Sequence, residues 1–152
     1  MKRILCAAAA LAFLLCGCSG PDEPNGKQVT GERFSSEAEA LGFQVNDQAE
    51  DAPGEYETYL TAHSAETTAE FMIVADESTS VQLYGSQKDT ISQLYTEGDE
   101  RSESRGKTYT KCTLRTQDNV YILVRVERSV LLVSGTLDGE ETAKKLLANI
   151  GY

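Results

Sequence analysis

The sequence predicts an α+β domain in which three helices cover an antiparallel sheet of about five to six strands, in the order α-β-β-β-α-β-β-β-α. Three observations support this prediction. Apolar residues recur every three or four positions in three segments, as in amphipathic helices. Runs rich in Val, Ile, Thr and Tyr lie between these segments. Short polar turns separate most of the runs, which favours antiparallel pairing of neighbouring strands.

The first helix is predicted from apolar residues spaced i, i+4 and i+7. They are Phe34, Ala38 and Leu41. Ser35 and Ser36 precede most of this pattern, and Ser36 with Glu39 has the spacing of a capping box, while Gly42 suits the left-handed end of a helix. Residues 43–45 then indicate the beginning of a weak first strand.

The next segments predict a hairpin, a long helix and a loop. Residues 56–62 and 68–75 are rich in strand-forming side chains and pair most simply as a hairpin. From Ser78 the apolar spacing changes to three and four, which predicts a helix that ends before Gly98. Residues 97–106 contain no apolar side chain and carry mixed charge, so they are predicted to be a mobile surface loop.

Three strands and a last helix complete the domain. The strands are predicted at residues 107–116, 120–127 and 130–136, and the helix at residues 139–150 with Asp138 as its cap. The helix has an apolar stripe made of Ala143, Leu146, Leu147 and Ile150. This stripe is expected to cover the sheet.

The N-terminus has the three parts of a secretory signal peptide, assigned to residues 1–17. Lys2 and Arg3 precede an uncharged stretch at residues 4–15, which is shorter than the roughly 20 residues of a membrane-spanning helix. The residues Leu15-Cys16-Gly17-Cys18 resemble a lipobox. That resemblance to bacterial lipoproteins implies cleavage before Cys18 and attachment of lipid to Cys18. The expected location is the extracytoplasmic side of a cell membrane, where two or more acyl chains hold a protein stably.

Residues 18–31 are predicted to be the lipidated cysteine and a flexible tether, and residues 32–152 a single globular domain. The chain carries 14 bases and 24 acids, and loss of Lys2 and Arg3 with the signal peptide leaves a formal charge of −12. Such a charge argues against binding to nucleic acid and against lying flat on anionic lipid.

The strands at residues 107–116 and 120–127 carry the candidate binding surface. A three-residue turn would place Leu114 opposite Ile122 and Cys112 opposite Val124, with Cys112 in the core. The opposite face would then bring together bases and tyrosines, namely Tyr109, Lys111, Arg115, Tyr121 and Arg125. Arginine holds carboxylates and phosphates through paired hydrogen bonds, so this patch would suit an anionic envelope polymer or an acidic protein partner. The alternative is an ordinary solvated face neutralised by acids such as Glu127.

The sequence indicates no catalytic, cofactor-binding or metal-binding residues. His63 is the single histidine, and Cys112 is the single cysteine beyond residue 18, so zinc sites and Cys-His catalysis lack ligands. No phosphate-binding, dinucleotide or calcium motif is present. The 24 acids leave a hydrolase open, because two catalytic carboxylates need not be close in sequence.

Residues 34–45, the strand containing Arg125 and Val126, and the terminal Gly151 and Tyr152 resemble small uncharacterised lipoproteins of Gram-positive bacteria. That resemblance is loose and implies no known activity. The sequence therefore favours a membrane-tethered, non-enzymatic binding or interaction module of the cell envelope. The alternatives are a cell-envelope hydrolase that uses unidentified carboxylates and a dimerisation domain that uses the apolar part of the same hairpin face.

Overall fold

The computed structural model describes residues 23–50, 52 and 54–152. The predicted signal peptide and Cys18 lie outside these residues. The α+β class and the predicted order of elements are confirmed, with seven strands instead of five to six. The helices are α1 (Gly31–Ala40), α2 (Glu77–Ser92) and α3 (Glu140–Ile150). The strands are β1 (Gln44–Asp47), β2 (Thr58–His63), β3 (Thr67–Ile73), β4 (Glu100–Arg105), β5 (Tyr109–Arg115), β6 (Asn119–Val126) and β7 (Ser129–Thr136). Within the described part of the chain, no helix is long and apolar enough to cross a bilayer.

The strands form one antiparallel sheet in the order β1-β2-β3-β7-β6-β5-β4. Helix α2 carries the chain from β3, in the middle of the sheet, to β4 at one edge. Helices α1 and α3 pack on one face, here called the α1/α3 face, and α2 packs on the other, the α2 face. The sheet is therefore the middle layer of three, and its central strands bury side chains on both sides.

The larger core lies on the α1/α3 face. Phe34 of α1 stacks on Phe71 of β3, with ring centroids 4.8 Å apart. The stripe of α3 predicted from the sequence is buried, as its residues Ala143, Leu146, Leu147 and Ile150 show. On the α2 face a smaller cluster packs Met72, Leu123 and Val130 against Tyr84 and Ile91 of α2. Cys112 is buried as predicted, in this smaller cluster.

The segment predicted to be a mobile loop, residues 97–106, contains the edge strand β4. It pairs with β5 from Glu100 opposite Arg115 to Arg105 opposite Thr110. All of its side chains except Ser104 are exposed, so its sequence needs no apolar residue. The mixed charge suits an edge strand, because charged side chains discourage pairing with another chain.

Both outer helices begin differently from the prediction. Thr30 caps α1 by accepting a hydrogen bond from the Arg33 amide at 3.3 Å, so this helix begins before the Ser35-Ser36 pair. The N-cap of α3 is Gly139 and not Asp138. Gly139 is buried where a Cβ would collide with Thr67 and the Glu66 backbone, so tight packing decides the residue at this cap.

The described part of the predicted tether, residues 23–30, is bound to the domain and is not a free linker. The Asn25 amide donates to the Gly151 carbonyl at 2.9 Å. The Thr108 hydroxyl donates to the Gly26 carbonyl at 2.7 Å, and the Val29 amide to the Tyr152 hydroxyl at 3.1 Å. Val29 is also buried in the larger core. This polar segment is ordered because its backbone groups find partners on the domain, which its composition does not reveal.

The register of β5 and β6 differs by one residue from the prediction. Cys112 lies opposite Leu123 and Leu114 opposite Tyr121. The loop has two residues instead of three, and it is closed by a hydrogen bond of 2.8 Å from the Thr116 amide to the Asn119 carbonyl. A slip of one residue exchanges the faces to which the side chains of one strand point relative to the other. The prediction assumed that the apolar residues of β5 and β6 share one face. Helices cover both faces of the sheet, so Val120, Ile122 and Val124 of β6 enter the larger core while Cys112 of β5 enters the smaller one.

Candidate functional site

The corrected register divides the five candidate binding residues between the two faces of the sheet. Tyr109, Lys111 and Arg115 share the α1/α3 face with Ile122 and Val124 of β6. Tyr121 and Arg125 share the α2 face with Leu123 and Cys112. The predicted single patch is therefore wrong, because the prediction used a turn that was one residue too long.

Arg125 and Tyr121 lie on the α2 face, where both contact other residues of the domain. The Arg125 side chain is only 11% exposed, and it donates to the Glu127 carbonyl at 3.0 Å and to the Glu77 carboxylate at 3.4 Å. It thereby ties the first turn of α2 to the turn between β6 and β7. Tyr121 is half-buried against the apolar cluster below α2. Neither residue faces the cleft described next.

A cleft of about 400 Å³ lies between α3 and strands β4 and β5. Its floor includes Ile122 of β6, and one wall includes Glu140 and Lys144 of α3. The other residues that line it are Glu23, Glu100, Arg101, Ser102, Glu103, Ser104, Lys111, Thr113 and Arg115. Two of the predicted binding residues, Lys111 and Arg115, are thus brought together here. The cleft has a narrow apolar floor and a polar rim of bases, acids and hydroxyl groups.

Glu140 organises the positive charge at one end of the cleft. Its carboxylate accepts from Arg115 Nε at 3.1 Å and pairs with Lys144 Nζ at 3.0 Å. The pairing with Lys144, and then that with Arg115, keeps the pKa of Glu140 below its ordinary value. Arg115 keeps 42% of its side chain exposed while Glu140 fixes its position. The cleft therefore presents a guanidinium that is both oriented and accessible to a ligand.

A second ion-pair group lies on the α2 face of β4, and two of its residues, Arg101 and Glu103, also border the cleft. Glu103 pairs with Lys88 Nζ at 2.8 Å and with Arg101 at 2.6 Å. Lys88, and to a smaller extent Arg101, lowers the pKa of Glu103. These pairs join α2 to the edge strand. Exposed pairs of this kind contribute little to stability. Here the Glu103 carboxylate neutralises the charge of Arg101.

Tyr109 and Glu23 lie at the opposite end of β5 from Arg115. Tyr109 is buried, and burial, followed by a hydrogen bond with the Glu23 carboxylate, raises the pKa of its hydroxyl. Glu23 also lines the cleft. The docked N-terminal segment therefore contributes to one end of the candidate site. Tyr109 supports that end instead of serving as a flat contact surface.

The side chains around the cleft are mainly charged and hydroxyl groups. The described residues contain no group of three His, Cys, Asp or Glu side chains that could hold a metal ion. His63 is exposed at the end of β2, and its ring contacts Thr68 at 3.4 Å. Burial, and then the nearby Glu103, raises the pKa of the Cys112 thiol, which disfavours the reactive thiolate. Bases and hydroxyl groups on one rim, by contrast, are suitable donors to an anionic, oxygen-rich ligand.

The residues that sequence reasoning missed are Glu140 and Lys144. They have i, i+4 spacing and flank the buried stripe at Ala143 and Leu147, which places them at the border between α3 and the sheet. That spacing is a signal in the sequence, but it does not identify the strand that α3 covers. Glu140 also lies in the first turn of α3, where the helix dipole favours acids, so its sequence position is explained without any site.

Comparison with known proteins assigns no function to this chain. No family model matches the chain, and no curated protein matches it. Among solved structures, the chain is similar to a GTP binding regulator from Thermotoga maritima, with 12% sequence identity and a TM-score of 0.45. The match covers 81% of this chain and 88% of that protein.

Proposed function

We propose that this protein is an exported binding module of the cell envelope, anchored by lipid on Cys18, and that its cleft binds the anionic groups of an envelope polymer. The N-terminal sequence supports export and anchoring, because a basic start, a short apolar stretch and a lipobox follow one another in the expected order. The binding site is the cleft and not the patch predicted from the sequence. Two residues of that patch, Lys111 and Arg115, line the cleft.

The observation that carries the binding proposal is the convergence of Lys111, Arg115 and Lys144 on one cleft of a strongly acidic chain. Arg115 is held by Glu140 yet remains accessible, so less ordering is needed when a ligand binds. Ser102, Ser104 and Thr113 add hydroxyl groups on the same rim. These features suit repeated phosphate or carboxylate groups.

The composition of the cleft favours a polymer over a protein partner. Protein interfaces depend on large apolar and aromatic side chains that fill pockets. The apolar side chain in this cleft is Ile122, on the floor, and charged or hydroxyl side chains surround it. A polar, anionic chain can use such a rim without burying an apolar anchor.

The test is a titration of the full-length mature protein with a fluorescent glycerol phosphate oligomer, with poly-L-glutamate as a second probe. The variant Lys111→Gln/Arg115→Gln removes two charged donors from the cleft. Each charged hydrogen bond contributes about 1.5 to 3 kcal/mol, so binding should weaken by roughly tenfold or more.

The matched control is Lys27→Gln/Lys107→Gln, which removes the same charge from two exposed residues that do not line the cleft. It should bind the oligomer within about twofold of wild type. Equal weakening by both variants would mean that overall charge drives binding, and no binding of either probe would reject the anionic ligand. Tighter binding of poly-L-glutamate would identify an acidic protein as the partner. Thermal unfolding of both variants checks that they are folded.

A further inference from the structure

One end of the domain collects the docked N-terminal segment, two turns and the C-terminus. Gly26 lies against Thr108, in the turn between β4 and β5. Gln28 accepts from the Arg128 amide at 3.0 Å, in the turn between β6 and β7. Asn25 contacts Gly151. We call this end, comprising residues 23–28, 106–108, 127–128 and 151–152, the basal surface.

The docked segment limits how far this end can lie from a lipid on Cys18. The segment is held on the domain from Asn25 onward by the contacts given above, and Glu23 reaches Tyr109. Cys18 precedes Glu23 by five residues, which span at most about 18 Å when fully extended. The strands run from the basal surface to the opposite end of the domain, and eight residues of β6 extend roughly 26 Å. An anchor at Cys18 can therefore bring the basal surface to the bilayer more easily than the opposite end.

Charge differs between the basal surface and the opposite end. The basal surface carries the bases Lys27, Lys107 and Arg128 and the acids Glu23 and Glu127, and the exposed Arg105 adjoins it. The loop between β1 and β2, beyond this surface at the same end, adds the acids Glu50, Glu55 and Glu57. The opposite end has Arg115, which is paired with Glu140, and the acids Glu66, Glu97, Asp99, Asp118, Asp138 and Glu141. An anionic bilayer attracts the exposed Lys27, Arg105 and Lys107 and repels the acids of the opposite end.

We propose that the basal surface lies against the anionic headgroups of the membrane, with the sheet upright and the acidic end facing away. This inference rests on the proposed lipid anchor at Cys18. The cleft then opens sideways, with Glu23 at its membrane end and Arg115 farther out. Its ligand approaches parallel to the bilayer and does not have to cross the acidic end.

Energy transfer to the bilayer tests this orientation. The mature chain, residues 18–152, is coupled through the Cys18 thiol to a maleimide lipid in vesicles of phosphatidylcholine with about 30% phosphatidylglycerol. Cys112 is 1% exposed and does not compete for coupling. A donor dye is placed through an unnatural side chain at position 107 or at position 118, with acceptor dyes on the headgroups. We expect position 107 to lie closer to the bilayer by about 20 Å, the length of β5.

Two variants separate the contributions of docking and charge. Gly26→Val forces a Cβ to 2.6 Å from the Thr108 hydroxyl at a residue with φ of +75°, so the segment should undock and the two dyes should report similar distances. Gly98→Val is the matched control, since its φ is +101° and nothing lies within 4 Å of the added Cβ. Lys27→Glu/Arg105→Glu should reduce transfer from position 107 on the anionic vesicles and leave it unchanged on pure phosphatidylcholine.

Equal transfer from the two positions in the wild-type chain, or stronger transfer from position 118, would overturn the proposed orientation. Retention of the difference in Gly26→Val would show that docking does not cause it, and would overturn that step. The anchor is tested separately by mass spectrometry of the N-terminal peptide purified from cell membranes. A peptide without lipid on Cys18 would reject the proposed anchoring, whatever orientation the vesicles report.

Discussion

The two faces of the sheet bury their side chains in different ways. On the α1/α3 face, two helices cover a core in which the buried hydroxyls of Ser129 and Tyr152 bond to each other at 2.6 Å. On the α2 face, one helix covers a smaller cluster, and the Tyr84 hydroxyl and Gln87 Oε1 are buried there without a partner among the described residues. We therefore expect the Tyr152 hydroxyl to stabilise the domain and the Tyr84 hydroxyl to destabilise it. We also expect the larger core, below α1 and α3, to contribute most of the stability.

The largest effect is expected from removal of the stacked ring at the centre of the α1/α3 core. Phe71 is fully buried and packs on Phe34 at 4.8 Å, so Phe71→Ala should lower the free energy of unfolding by about 3 to 5 kcal/mol. Denaturant unfolding measures the change. A loss below about 1 kcal/mol would mean that this face is not the main source of stability.

Removing the partnered hydroxyl tests the polar part of the same face. Tyr152→Phe takes away the acceptor of the Val29 amide and the partner of Ser129, and should destabilise the domain by about 1 to 3 kcal/mol. The variant should also increase hydrogen exchange at the Val29 amide, because the docked segment loses one of its contacts. Unchanged exchange at Val29 would contradict the role assigned to this hydroxyl.

The matching substitution on the α2 face should have the opposite sign. Tyr84 has a buried hydroxyl without a partner, and burial raises the pKa of that hydroxyl. Tyr84→Phe should therefore stabilise the domain by about 1 kcal/mol. Thermal unfolding of Tyr84→Phe beside Tyr152→Phe compares the two hydroxyls directly. Destabilisation by both substitutions would remove the contrast between the faces.

The smallest expected effect concerns the pH dependence of the ion pairs at the cleft. Because the pKa of Glu140 is lowered in the folded chain, its contribution is complete above its ordinary value of 4.5 and is lost as the pH falls through the lowered value. Glu140→Gln should lack this part of the acid destabilisation, a difference of a few tenths of a kcal/mol. Unfolding measured between pH 6 and about pH 3 compares the two slopes. Identical slopes would show that Glu140 makes no net contribution.

The sequence predicted most of the helices and strands correctly, but it did not predict the contacts between them. The helix stripe of α3 and the strands from β5 to β7 have strong periodic or β-branched patterns, and they lie where expected. Strand β4 was missed because an exposed edge strand can be entirely polar. Of the candidate site, Lys111 and Arg115 were identified, whereas Glu140 and Lys144 depend on where α3 packs.

The α+β class, the order of helices and strands and the burial of Cys112 follow from local pattern, because neighbouring residues carry the periodicity and the apolar content. The register of β5 and β6 and the docking of residues 23–30 depend instead on contacts between distant parts of the chain. When helices cover both faces of a sheet, the apolar residues of neighbouring strands need not share a face, so matching their patterns does not select the register. A polar segment becomes ordered when distant residues such as Thr108 and Tyr152 supply its hydrogen bonds. Such long-range contacts cannot be read from the pattern of neighbouring residues. They determine which charged side chains meet at the cleft.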